Sequence, residues 1–223
     1  MDINPQAVIL LIGGEKGGSG KSCLAQNLAA VIRKSGGDVL LLDADPQATS
    51  FEWAAEREGK SHLLAIPTVK AHGNIRHALI DLRLRYRYIV VDTGGADSEA
   101  LRSAMTVATH MLVPFRPKRR DLKTLPKVSE LVRLASAVNP ALKAWSVITQ
   151  CPALPSQTAR ILDAKDACRS FEIKPLNAIT YARNAYDDAE EDGCSVVEMG
   201  CDLKAAQEIE AIFTEILREE QWA

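Results

Sequence analysis

Residues 8–22 read VILLIGGEKGGSGKS, and the fold is decided there. Residues 8–12 are a short, unbroken apolar run, the pattern of a strand buried on both faces. A glycine-rich stretch follows. Leu24, Leu28, Val31 and Ile32 then recur at helical spacing until Gly36-Gly37 ends the helix. The order is strand, glycine-rich turn, helix. Such a turn lets backbone N–H groups point inward around phosphate oxygens, and the helix N-terminus adds unpaired donors and a partial positive charge. Gly17, Gly18, Ser19, Gly20, Lys21, Ser22 and Cys23 form the expected phosphate cradle. Lys21 is expected to reach the β- and γ-phosphates, and the Ser22 hydroxyl to hold Mg2+. The strict pattern G-x-x-x-x-G-K-S/T fails at its first glycine, where Glu15 stands.

Outward from this stretch the strand–helix alternation continues. Residues 39–43 (VLLLD), 88–92 (YIVVD), 110–114 and 144–149 read as further buried strands. Weaker strands are expected at 63–66 or 68–70 and at 176–179. Helices are expected over 51–58, 75–84, 98–108, 122–137, 157–170 and 203–218. Apolar strands alternating with helices imply an α/β domain. It is expected to be doubly wound, with a mostly parallel sheet, helices on both faces and ligand at the carboxyl ends of the strands. No linker or repeat interrupts residues 1–223, so a single domain is expected.

Composition narrows the class. Apolar residues make up 47% and charged residues 25% of the 223, which excludes a disordered or collagen-like chain. No run approaches the ~18 apolar residues of a membrane span. Asp2 and the lack of a basic leader argue against a secretory signal. The five cysteines are an odd number without a C-x-x-C pair, which points to reduced thiols and a cytoplasmic protein. The net charge of −2 conceals a net of +8 over residues 1–186 and −10 over 187–223.

Lys16-Gly17-Gly18-Ser19-Gly20-Lys21-Ser22 resembles the deviant Walker A loop of the ParA/MinD family of ATPases, K-G-G-x-G-K-S/T, whose first position varies. Asp43-Ala44-Asp45-Pro46-Gln47 is similar to the family's D-x-D-P-Q after the second strand. Residues 89–95, IVVDTGG, look like its Walker B strand and switch II. Pro114, Pro117 and Asp121 match the proline loop of the small plasmid-partition ParA proteins. Residues 180–198 are similar to their C-terminal region.

The resemblance implies an ATPase that uses ATP and Mg2+. It implies that Lys16 reaches across an ATP-bridged homodimer to the partner's nucleotide, and that Lys21 and Ser22 bind phosphate and metal. Asp45 would be the switch I aspartate that positions the attacking water at the metal site, and Asp92 would hold Mg2+ through water. Partition of plasmid or chromosomal DNA is the implied function, with non-specific DNA binding, nucleoid association and a centromere-binding partner protein. A cargo-positioning ATPase that does not bind DNA, or an ATP-dependent metabolic enzyme with the same loop, are the alternatives. No helix-turn-helix fits before Gly13, so operator binding is not expected.

Other features weigh less. Arg116, Lys118, Arg119, Arg120 and Lys123 give a net +4 over residues 116–123, a departure from the family that suits DNA phosphates or a solvated helix start. Arg83, Arg85 and Arg87 form a second basic run. Neither run has interleaved aromatics for base stacking. His62, His72, His77 and His110 lack metal-ligand spacing. Tyr181, Arg183 and Tyr186 suit a nucleotide contact or packing. The last helix sets Glu208, Glu210, Glu215, Glu219 and Glu220 against Arg218, which suits core packing and not a basic membrane-surface helix.

Overall fold

The unbroken apolar runs become the middle of a sheet. In the computed structural model, which describes residues 7–95 and 98–218, the strands are β1 (Val8–Ile12), β2 (Val39–Ala44), β3 (Thr68–Lys70), β4 (Tyr88–Thr93), β5 (His110–Phe115), β6 (Lys143–Cys151) and β7 (Lys174–Tyr181). Asp2, Glu219 and Glu220, which count towards the charge pattern, lie outside the described residues. The order across the sheet is β3-β2-β4-β1-β5-β6-β7, and every neighbouring pair is parallel.

Ten helices cover the faces among the described residues: α1 (Lys21–Lys34), α2 (Thr49–Arg57), α3 (Arg76–Leu82), α4 (Glu99–Met105), α5 (Arg119–Leu122), α6 (Leu125–Val138), α7 (Thr158–Ser170), α8 (Asn184–Glu191), α9 (Val196–Met199) and α10 (Leu203–Arg218). Alternate residues of each central strand point to opposite cores. Ile9, Leu11, Leu40, Leu42, Ile89 and Val91 pack against α3, α4, α6 and α7. Leu10, Ile12, Leu41 and Val90 pack against α1, α2, α9 and α10.

The structure corrects several expectations. The helix expected over 122–137 is α6, which starts three residues later at Leu125, and a separate single turn, α5, precedes it. Pro126 is the reason: it has no N–H to donate and its ring would clash with the carbonyl one turn back, so it is accommodated only in the opening turn of α6. α8 and α9 were not expected. Two acids of α10 cap the sheet's last strand. Glu215 accepts the N–H groups of Asn177 at 2.7 Å and Ala178 at 2.9 Å, and Glu208 accepts that of Tyr181 at 3.0 Å. They occupy donors on β7, the last strand of the sheet, which would otherwise invite another strand.

Candidate functional site

The carboxyl ends of β1, β2, β4, β5 and β6 meet at one edge of the sheet. Gly20 opens α1 in the left-handed region at φ +90°, and Gly18 lies there too at φ +71°, so the loop requires glycine at both. The loop is clamped from two sides. Thr149 Oγ1, at the end of β6, donates to the Ser19 oxygen at 2.8 Å, and Gln150 Nε2 donates to the Gly18 oxygen at 3.1 Å. On the other side Gly95 lies against the backbone of Gly17.

Lys21 is buried, and its Nζ donates to the Lys16 oxygen at 2.9 Å. Burial lowers the pKa of its ammonium, while Asp92 and Asp45 oppose that fall. Lys16 is half-buried and pairs with no acid among the described residues. Gly17 beside it is exposed. Glu15, the departure from the strict pattern, forms an ion pair with Lys127 of α6 at 2.6 Å. It ties the loop to a neighbouring helix.

Three aspartates converge on the loop. Asp43 and Asp92 are register partners on β2 and β4. Asp43 accepts the N–H of Asp45 at 3.0 Å and of Phe51 at 2.8 Å, so it shapes the turn and the start of α2. Asp45 accepts the Gln47 N–H at 3.0 Å, and its carboxylate lies beside Gly94. Asp92 is fully buried. Its Oδ2 accepts from Ser50 at 2.7 Å, and the nearby Ser22 hydroxyl favours its charged form. Its Oδ1 is buried with no protein partner. Burial pushes the Asp92 pKa up to about 7, against the opposing pull of the Ser50 and Ser22 hydroxyls.

A buried carboxylate oxygen without a donor is costly unless a cation or water takes it. The donor set here is oxygen only: the Ser22 hydroxyl, the Asp92 carboxylate and the nearby Asp45. Mg2+ uses one or two carboxylates and fills its shell with water and phosphate oxygens, so the residues present fit that ion. The glycine cradle and Lys21 fit the phosphates.

Beside Gly20 opens a cleft of about 290 Å³ lined by Cys23, Leu24, Gln150, Tyr181, Arg183 and Tyr186, among others. Its size suits part of a small ligand, and it meets the phosphate loop end to end. Burial pushes the Cys23 thiol up to about 12, so it is an uncharged wall. Arg183 and Tyr186 line the cleft but are already engaged. Arg183 Nε donates to Glu208 at 2.8 Å, and the Tyr186 hydroxyl donates to the same carboxylate, also at 2.8 Å.

The basic stretch needs a correction. Arg116 is not a free cation. Its Nε and Nη2 donate to the Asp121 carboxylate at 2.7 and 3.1 Å, and Asp121 is buried. Arg116 therefore braces the loop against α5, close to Gly18. Lys118, Arg119, Arg120 and Lys123 remain exposed and without acidic partners among the described residues. Lys118, Arg119 and Lys123 line an open groove of about 640 Å³ together with Arg160 of α7, a residue that no sequence pattern singles out.

Sequence reasoning also missed Ser50, Thr149 and Gln150. None sits in a motif; each acquires its role only when the sheet brings strand ends together.

Comparison with known proteins agrees with this geometry. The family described as the CobQ/CobB/MinD/ParA nucleotide binding domain matches residues 10–219. The chain is 30% identical over 216 residues to the maintenance of carboxysome distribution protein A of Gloeobacter kilaueensis, covering 96% of this chain and 94% of the relative. It is 25% identical over 218 residues to the protein of the same name from Halothiobacillus neapolitanus, covering 95% and 97%. In structure it resembles a Cyanothece McdA–ATP complex with a TM-score of 0.73 at 14% identity, over 97% of both chains. The glycine loop, the aspartates at the strand ends and the matched residues lead to one conclusion: the chain belongs to the CobQ/CobB/MinD/ParA nucleotide-binding domain family and has the P-loop fold of ParA- and MinD-type ATPases.

Proposed function

We propose that the chain is a Mg2+-dependent ATPase that dimerises around ATP, binds duplex DNA without sequence preference and positions a cargo. A partner protein accelerates hydrolysis and so releases it. The observation that carries this reading is the pair of loop lysines. Lys21 is buried inside its own loop, where its Nζ donates to the Lys16 oxygen at 2.9 Å and stands ready for the local phosphates, whereas Lys16 meets no acid among the described residues of its own chain. A second loop cation without an acidic partner suits the nucleotide of a second copy.

The residues divide the work. The cradle from Gly17 to Ser22 binds and orients the phosphates. Lys21 neutralises phosphate charge. Asp45 holds the attacking water, and Ser22 and Asp92 hold the metal. Mg2+, when bound, neutralises charge on the phosphates during transfer. Cys23 and the cleft beside Gly20 take the nucleoside.

The exposed cations Lys118, Arg119, Arg120 and Lys123, with Arg160, support the DNA surface. A polyanion would be held there by counterion release, without base reading. The cargo is DNA in one reading, with a centromere-binding protein as partner, which the ParA-type loops favour. It is a protein body in a second reading, which the full-length similarity to carboxysome distribution proteins favours.

Replacing Lys118, Arg119, Lys123 and Arg160 together by alanine tests the DNA surface. ATP-dependent binding to random duplex DNA is expected to weaken, with a log–log salt slope shallower by up to about 0.9 for each phosphate no longer neutralised. ATP affinity is expected to stay. Parental DNA binding by this variant at every salt concentration would put the contact elsewhere, such as at Arg83, Arg85 and Arg87, whereas a parent that binds no DNA with ATP would favour a switch that acts without DNA.

A further inference from the structure

The first turn of α2 carries a hydroxyl that lies outside every motif of the phosphate site. Ser50 is fully buried, and its Oγ donates to Asp92 Oδ2 at 2.7 Å. The next residue, Phe51, donates its N–H to Asp43 at 2.8 Å. Asp43 and Asp92 are neighbours across β2 and β4, so the start of α2 rests on two adjacent buried carboxylates.

The rest of the helix is held as firmly. The Trp53 indole donates to the Cys194 oxygen at 2.7 Å. Arg57 donates to the Gly193 oxygen at 3.1 Å and forms a two-pronged ion pair with Glu198, one prong of which is 2.8 Å long. Both ends of α2 are anchored. The backbone that carries the Ser50 hydroxyl is therefore held in place beside the carboxylate.

The terminal torsion of an aspartate is broad and roughly two-fold, so an unrestrained Asp92 would present either oxygen at a range of angles. A charge-assisted hydrogen bond from a fixed donor removes that freedom. It occupies Oδ2 and leaves Oδ1 buried and without a protein partner. We propose that Ser50 is a positioning residue for the ATPase reaction: it selects and orients the Asp92 oxygen available to the Mg2+–nucleotide complex, and ties the segment that carries Asp45 to the strand that carries Asp92. This rests on the assignment of Asp92 to the metal site.

Three substitutions separate the hydroxyl from the space it fills. Ser50→Ala removes the donor, Ser50→Cys keeps the volume with a weak donor, and Ser50→Thr keeps the hydroxyl. Calorimetric titration with ATP is run without metal and across a Mg2+ series, with Asp92→Asn in parallel. The Ala and Cys variants are expected to bind metal-free ATP within about twofold of the parent, and to need roughly tenfold more Mg2+ for half-maximal enhancement, the size of one missing hydrogen bond to a charged group. Their kcat is expected to fall with little change in KM at saturating Mg2+, and Ser50→Thr to retain the parental values. A parental Mg2+ requirement in the Ala and Cys variants, with a raised one in Asp92→Asn, would overturn the role of Ser50 alone. A parental requirement in Asp92→Asn would overturn the assignment of Asp92 and this inference with it.

Discussion

Gly95 touches Gly17 backbone to backbone: a methyl group on Gly95 would lie 2.8 Å from the Gly17 nitrogen and 3.0 Å from its Cα. The segment after β4 and the phosphate loop are thus interlocked, and neither of those atoms belongs to a side chain that could swing away. Gly95→Ala is expected to push the loop out of shape and weaken ATP binding by about tenfold or more, a misplacement effect on a positioned site. Calorimetry checks this, with Lys21→Ala as the reference for complete loss of the phosphate charge. Parental affinity in Gly95→Ala would mean that the loop yields freely.

Asp45 lies beside Gly94 and is bonded to the Gln47 N–H. Asp45→Ala is expected to bind ATP with nearly parental affinity but to hydrolyse it about a hundredfold more slowly, because water positioning acts in the transition state and not in ground-state binding. Single-turnover hydrolysis is the measurement. Intact turnover would reduce Asp45 to a turn residue.

Asp92 makes the stability of the ligand-free protein depend on pH. Burial raises its pKa from 3.8 to about 7 in the folded chain. A carboxyl with a raised folded pKa contributes stability that is fully present below about pH 4 and lost as pH rises through about 7. Urea denaturation between pH 5 and 8 is expected to show Asp92→Asn gaining on the parent as pH rises, by roughly 2–4 kcal/mol at the upper end. A difference that stays flat with pH would mean that Asp92 is already ionised at pH 5.

Much of this was legible in the chain. β1, β2 and β4 are apolar runs because they are buried on both faces, and Gly20-Lys21-Ser22 marks the strand-to-helix turn by residue type alone. α8 was not legible: NAYDDAEE is only eight residues long and fully buries only Ala189, too short a stretch to mark a helix from the sequence. α9 did carry a signal. Ser195 and Glu198 form a capping box, an S-x-x-E pattern that marks a helix start even when only one turn follows. Arg116 read as one cation among five because its partner Asp121 is found only once the chain folds back onto α5. Ser50 gave no sign, since a serine at a helix start normally faces water. It becomes buried because Asp43 and Asp92 stand side by side.

The most direct test of the account is the oligomeric state with and without ATP. Sedimentation with Mg2+ and a slowly hydrolysed ATP analogue is expected to give a dimer, and with ADP a monomer. Lys16→Gln is expected to bind the analogue within about threefold of the parent, because Lys21 still serves the local phosphates, yet to remain a monomer in both states. A parental dimer in Lys16→Gln, or one oligomeric state for the parent whichever nucleotide is bound, would contradict the account.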